Sequence, residues 1–226
     1  MLEMPSSSPL GGSVKTLRGA SLPSAELLSR RCHTIEAMTL YNYDVLQLNR
    51  LVLPSLTHVT IAGSLRYVHF TPGKMPGLAN VTHLRFPNDV PRLPENFVSG
   101  CVPRLSHFSC CYQLSGGKKK ATPSYGSSSV PSRHDELERC IGTVLRAPAL
   151  RVAVVYVNTK DTREGTAVAR AIMGSICDPR VVVASAADLP DETQNLSPRY
   201  EAGWVLAEGK LRARRSRCTS TIAWGY

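Results

Sequence analysis

The segment Leu56-Thr57-His58-Val59-Thr60-Ile61 has an apolar-x-x-apolar-x-apolar frame, and this frame decides the fold. Its fourth and sixth residues, Val59 and Ile61, alternate as on a β-strand and point into a core, whereas the residues beside them point away from it. The frame starts again 25 residues later at Val81–Phe86, and 24 residues after that at Leu105–Cys110. Its return at a nearly constant spacing indicates an internal repeat.

The repeat extends in both directions from these three segments. Ile35–Leu40 has the frame 21 residues before Leu56, and Leu150–Val155 has it 45 residues after Leu105, which is about two periods. The longer gap contains a stretch rich in Gly, Ser and Lys at 115–132, which predicts an exposed low-complexity loop. A further apolar run follows at Val181–Val183.

The segments between the later strands have helical spacing, which parallel strands need because their connection must travel back along the sheet. Arg133–Arg146 is the clearest helix, with Ser132 and Asp135 placed to cap its start and Pro148 to end it. Arg163–Ile176 is the second. One such unit cannot bury its own apolar face, so neighbours must stack. The pattern predicts an α/β fold, a solenoid of about five to seven strand–helix units with parallel strands.

These segments resemble leucine-rich-repeat proteins, whose frame L-x-x-L-x-L-x-x-N-x-L and period of about 20–29 residues they echo. The Asn of the ninth frame position occurs only at Asn158. More narrowly, Pro103–Phe108 and Asp178–Val183 are similar to motifs of uncharacterised leucine-rich-repeat-like, F-box-associated proteins of mushroom-forming fungi, a resemblance that covers roughly 24–208. It implies a non-catalytic protein–protein interaction module, a substrate-recognition-like repeat region without a recognisable F-box.

The domain organisation follows from the limits of the repeat. We expect a disordered N-terminal segment at 1–20, the solenoid domain at 21–208 and a basic, irregular C-terminal tail at 209–226. No stretch approaches the roughly 18 uninterrupted apolar residues of a membrane span, and the first twenty residues lack the apolar block of a signal peptide. The expected location is intracellular, either cytoplasmic or nuclear.

The formal charge of +10 is concentrated in two short runs, Lys118–Lys120 and Lys210–Arg217, which hold eight basic residues. Without them, 19 basic residues stand against 17 acidic ones, so the folded body is close to neutral. An unknown protein is the expected partner. Binding of nucleic acid or of an anionic membrane through the two basic runs is an alternative function.

One set of polar side chains is predicted to share the outward face of the sheet. The three histidines of the frame occupy the same repeat position, so on adjacent strands they should form a column with a spacing of about 4.8 Å. The candidate partner-binding face consists of Thr39, His58, Thr60, His83, Arg85, His107 and Ser109. A solvated strand pattern is the simplest interpretation of the histidines; a metal site or a pH sensor is the alternative.

Catalytic motifs are missing from the sequence. The strand–helix–strand unit at 149–186 could belong to a nucleotide-binding or enzyme-like α/β domain, but its loop Asn158–Thr162 lacks a Gly-rich turn for phosphates. The seven cysteines contain no C-x-x-C pair and are interpreted as buried apolar spacers. A zinc site from Cys101, His107, Cys110 and Cys111 would have an unusual ligand spacing. We therefore expect no enzyme, no cofactor and no metal.

Overall fold

The computed structural model describes residues 16–18, 34–41, 52–63, 70–71, 73–114, 132–159, 162–185 and 201–222. For 16–18, 162, 201–202 and 216–222 only the backbone is described. Most of the predicted N-terminal segment, residues 115–131 of the predicted loop with Lys118–Lys120, and the last four residues lie outside this part of the chain.

The described residues form an α/β fold built on one parallel sheet of seven strands, whose order in the sheet is their order in the chain. Each strand pairs in parallel with the strand before it and the strand after it. The strands are β1 (Thr16–Arg18), β2 (Ala37–Tyr41), β3 (His58–Ala62), β4 (His83–Phe86), β5 (His107–Gln113), β6 (Val152–Asn158) and β7 (Val181–Ser185).

Strands β2 to β7 lie where the apolar frame predicts them. Strand β1 does not: it lies inside the segment 1–20, which we expected to be disordered. Its three residues pair with Ala37–Thr39 of β2. Three residues are too few to show the alternating side-chain pattern of a strand, so the sequence does not predict β1. The strand is formed by backbone pairing with its neighbour.

The first face of the sheet carries the main core. Alternate residues of successive strands, such as Val59, Leu84 and Phe108, are paired in register and almost completely buried there. Burial of this continuous apolar surface is the main favourable contribution to folding, at roughly 25 cal/mol per Å².

Four helices are described: α1 (Phe97–Cys101), α2 (Arg133–Val144), α3 (Thr162–Ser175) and α4 (Glu201–Ile222), together with a 3₁₀ turn at Pro76–Leu78. The predicted start of α2 is confirmed, since the Ser132 hydroxyl accepts from the Asp135 N–H while the Asp135 carboxylate accepts from the Ser132 N–H. Helix α3 also lies where the sequence predicts it. Both pack on the main core through residues such as Leu137 and Ile172.

The starts of four strands share one backbone arrangement. At each start, two consecutive N–H groups donate to a single carbonyl oxygen of the preceding strand segment. The accepting carbonyls belong to Glu36, Thr57, Thr82 and Ser106, with N···O distances between 2.8 and 3.3 Å. The pattern therefore repeats along the chain in hydrogen bonding as well as in side chains.

Helix α4 corrects the predicted irregular tail at 209–226, because the helix continues through Lys210 and Arg217 to Ile222. Trp204, Ala207 and Leu211, spaced i, i+3 and i+7, form a buried stripe on it. This stripe packs on the second face of the sheet against Val152, Val154, Tyr156, Val182 and Ala184. Packing of the stripe on the sheet explains why a strongly basic segment is helical.

No helix in the described part of the chain combines the length and the apolar character needed to cross a membrane.

Candidate functional site

The seven residues of the predicted partner-binding face lie together on the second face of the sheet, in two rows. The first row is the histidine column, in which His58 pairs in register with His83, and His83 with His107. Adjacent rings stack with centroids 4.1 Å apart and ring planes inclined by 12° and 8°. The predicted column is confirmed.

The second row lies one pleat further along the same face. Thr39 pairs with Thr60, Thr60 with Arg85, and Arg85 with Ser109. The hydroxyl oxygens of Thr60 and Ser109 are buried on either side of Arg85, and neither has a hydrogen-bond partner among the described residues. Buried hydroxyls without partners are uncommon and costly, at about 1–3 kcal/mol each.

The expectation that this face is exposed to solvent is wrong. Thr39, Thr60, Arg85 and Ser109 are at most 3% exposed and His107 is 6% exposed, while His58 and His83 are partly exposed. At the histidine column the physical reason is visible, because Trp204 of α4 presents its ring to His83 and His107 at centroid distances of 5.8 and 5.5 Å. Direct contact of these buried side chains with a partner would require the face to be uncovered.

Trp204 and Glu208 belong to the site and were missed by the sequence analysis. Both lie on α4, one helical turn apart, and Glu208 Oε1 lies 3.1 Å from His107 Nε2. The spacing of Trp204, Ala207 and Leu211 was the available signal.

Each histidine of the column also contacts the hydroxyl group of the residue before it. Oγ lies 2.8–2.9 Å from Nδ1 in all three cases, and the same hydroxyl lies 3.1–3.3 Å from a carbonyl oxygen of the preceding strand segment. A hydroxyl has one hydrogen, so it can donate to the ring or to the carbonyl, but not to both. The hydroxyl can therefore serve a neutral ring as donor and a protonated ring as acceptor.

The contact with Glu208 fixes the hydrogen of His107. A carboxylate only accepts, so Nε2 of His107 donates to Glu208. Burial lowers the pKa of His107, and this effect outweighs the opposite effect of the Glu208 hydrogen bond. The neutral ring then carries its hydrogen on Nε2 and accepts from the Ser106 hydroxyl at Nδ1.

The pKa of the central ring of the column is strongly lowered. Burial first, then the neighbouring rings of His58 and His107 and the charge of Arg151, lower the pKa of His83 from 6.5 to about 3. His83 is consequently neutral at physiological pH and a weak base there. Proton transfer near pH 7 is best served by a group whose pKa lies near 7, so His83 is poorly suited to general acid–base catalysis.

The metal interpretations of the sequence find no support in the geometry. Nearly parallel stacked rings direct their nitrogen lone pairs side by side, whereas ligands of one metal ion must converge on it. The described residues contain no group of three His, Cys, Asp or Glu side chains that could hold a metal ion. Alternation along β5 places Cys110 on the main-core face and His107 and Cys111 on the other, which separates the ligands of the proposed zinc site.

The cysteines behave as buried apolar side chains. Cys101, Cys110, Cys111 and Cys140 are buried free thiols, and only Cys177 of the described cysteines is exposed. Burial raises the pKa of Cys101 to about 11 and that of Cys111 to about 12, so both remain protonated. A protonated, buried thiol is a poor nucleophile and a poor metal ligand.

A groove with a volume of about 430 Å³ lies next to the histidine column, at the edge where β6 and β7 begin. Arg151 and Arg180, each directly before a strand, form one side of it. The other side is a stripe of α4 with spacing i, i+3, i+4 and i+7. Its members are Glu208, Leu211, Arg212 and Arg215.

The described part of the chain thus defines an α/β protein with a single parallel sheet, a buried polar face and a basic groove beside it. Comparison with protein-family models, with curated proteins and with solved structures found no match.

Proposed function

We propose that this protein is a non-catalytic protein–protein interaction module, built as a leucine-rich-repeat-like solenoid. The observation that carries the proposal is the hydrogen-bond arrangement repeated at four strand starts, with accepting carbonyls 21, 25 and 24 residues apart in the chain. A unit that returns with the same backbone bonds, side-chain frame and sheet partner is the property of repeat proteins.

Strand order supports the same proposal. In the sheet each strand contacts only the units before and after it in the chain, which is the nearest-neighbour arrangement of solenoids. Repeat proteins of this kind offer extended surfaces to their partners. The resemblance to leucine-rich-repeat-like, F-box-associated proteins agrees with such a role, and we retain an intracellular location as part of the proposal.

The ionisation of two histidine and two cysteine side chains supports a non-catalytic role. His83 and His107 have pKa values lowered by burial, and the thiols of Cys101 and Cys111 have raised ones. These four groups are therefore uncharged at neutral pH, which suits a structural position better than a nucleophile or a general base.

The groove beside the histidine column gives no support to the nucleotide-binding alternative. Open α/β sheets bind their ligands outside the carboxyl ends of the strands. The groove beside Arg151 and Arg180 lies at the opposite edge, where β6 and β7 begin.

The test is affinity co-purification with the full chain from cells of its natural source, followed by reconstitution of the identified partner from purified proteins. We expect a complex of defined stoichiometry in light scattering. Phe108→Asp, which places a charge in the main core, provides an unfolded bait that should lose the partner. Recovery of the same proteins by both baits, or catalytic turnover by the purified chain, would contradict the proposal.

A further inference from the structure

We propose that the groove between α4 and the starts of β6 and β7 binds an acidic, extended peptide segment, one in which carboxylate side chains alternate with apolar ones. This inference names the chemistry of a partner and so rests on the proposed function.

The charge of the groove favours an anionic ligand. Four guanidinium groups line it or its rim, from Arg151, Arg180, Arg212 and Arg215. Among the described residues, Glu208 lies in the lining, and Asp178 is bound to Arg180. The described lining holds four guanidinium groups and one carboxylate. Arginine is the side chain best matched to carboxylates because its planar fork can form two parallel hydrogen bonds.

Arg180 is held in a fixed position before any ligand arrives. Its Nε and Nη2 donate to the two carboxylate oxygens of Asp178 at 3.0 and 2.9 Å, and Nη2 also donates to the Leu145 carbonyl at 3.1 Å. The same contact lowers the pKa of Asp178. A group already fixed by the protein loses little conformational freedom when a ligand binds.

Helix α4, which forms the other side of the groove, is also fixed to the sheet by side-chain contacts. Arg214, on the side of α4 that meets β7, donates from Nη1 to the Val181 carbonyl at 3.0 Å. Glu208 is tied to His107 on the sheet. Both walls of the groove are therefore anchored to the same sheet.

The floor of the groove distinguishes a peptide from other anions. Leu150 and Leu211 lie there with only 6% and 5% of their surfaces exposed. An apolar floor between guanidinium groups matches a chain whose side chains alternate between apolar and acidic, since successive residues of an extended peptide point in opposite directions.

Single-stranded nucleic acid fits less well. Sites for it combine basic groups with aromatic side chains on which bases stack, and none of the described lining residues is aromatic. A duplex needs a longer basic stripe than one groove provides.

The experiment measures fluorescence anisotropy of a labelled eight-residue peptide with alternating Leu and Glu. The comparison probes are the matching Leu–Lys peptide and an eight-nucleotide oligothymidylate. We expect the Leu–Glu peptide to bind saturably and the two comparison probes not to bind. Arg151→Gln combined with Arg212→Gln should weaken its Kd at least tenfold, because both changes remove a charge from the groove. Arg104→Gln combined with Arg170→Gln removes two exposed charges outside the groove lining and should change the Kd less than twofold.

A second measurement uses the unaltered protein, so it does not depend on the variants folding. Phenylglyoxal modifies accessible arginines, and mass spectrometry maps the modified positions. The Leu–Glu peptide should protect Arg151 and leave Arg170 reactive. Absence of binding, equal losses in both double variants, unprotected Arg151, or tighter binding of the oligothymidylate would each overturn the inference.

Failure of this inference is distinguishable from failure of the proposed function. If a partner is reconstituted but the peptide does not bind, the interaction module stands and the groove is not its site. If the peptide binds and no protein partner is found, the groove stands as an anion site and the proposed function fails.

Discussion

Lowering the pH from 8 to 5 should destabilise the protein through His83, and replacing this residue by Gln should remove that part of the loss. The pKa of His83 is about 3 in the folded chain, against 6.5 for an ordinary histidine. Above pH 6.5 the ring is neutral in both states and contributes no pH dependence. Below pH 6.5 the unfolded chain binds a proton at His83, whereas the folded chain does not until the pH reaches about 3. The free energy of unfolding therefore falls across this range.

The magnitude at pH 5 follows from these two values. The unfolded chain then holds nearly one proton at His83 and the folded chain almost none, which lowers the free energy of unfolding by about 2 kcal/mol. The ring is partly exposed, so solvent screening reduces the shift. Even half the shift leaves a loss of about 1.8 kcal/mol at pH 5, since the unfolded state dominates the proton uptake there.

The assay is urea unfolding of the wild type and of His83→Gln at pH 8, 7, 6 and 5, with the free energy of unfolding plotted against pH. The variant should lose about 2 kcal/mol less than the wild type between pH 8 and pH 5. His134→Gln is the matched control, because His134 lies on α2 in an exposed pair with Glu138 and outside the column. Parallel curves for the wild type and His83→Gln would refute the reasoning.

Three further predictions concern stability and reactivity. Trp204→Ala should lower the free energy of unfolding by about 3 kcal/mol, measured by urea unfolding. The substitution also exposes the histidine column, so the pKa of His83 should rise toward 6.5 in an NMR titration. An unchanged pKa of His83 would contradict the covering role of Trp204. Ser132→Ala should lower the free energy of unfolding by about 1 kcal/mol through loss of the α2 cap, whereas Ser99→Ala, at an exposed position of α1, should have a negligible effect. A maleimide label should reach Cys177 before Cys101, Cys110, Cys111 or Cys140, as mapped by mass spectrometry.

The strands and the histidine column were predictable because they depend on a local period. Residues such as Val59 and Leu84 recur at one position of the frame, so their faces and their register follow from the sequence. The start of α2 was predictable for the same reason, since Ser132 and Asp135 are three residues apart.

Burial of the polar face was not predictable from those periods. It depends on α4, which lies about 100 residues away in the chain from the histidine that it contacts. Charged residues such as Lys210 and Arg215 dilute the apolar stripe of α4, and a basic run of this kind is more often a solvated tail. The clearer signal was on the sheet, because Val152–Val157 is apolar at every position, and such a strand is typical of a sheet covered on both faces.

The contacts of the three hydroxyl groups beside the histidines were also not predictable from the sequence. Thr57, Thr82 and Ser106 precede the three histidines at the same repeat position, but the sequence does not show that each also reaches the carbonyl of the preceding strand segment. That contact depends on the registered stacking of strands and becomes visible only when neighbouring units are placed side by side.

The agreement between strand order and chain order bears on how the molecule assembles during synthesis. Strands β2 to β5 can each join an edge that is already present, because the partner they need has left the ribosome before them. Helix α4 is the exception, since Trp204 and Glu208 close contacts across about 100 residues and leave the ribosome after the strands that they contact. A pulling force applied to the end of α4 should therefore detach this helix before it separates the earlier strands of the sheet.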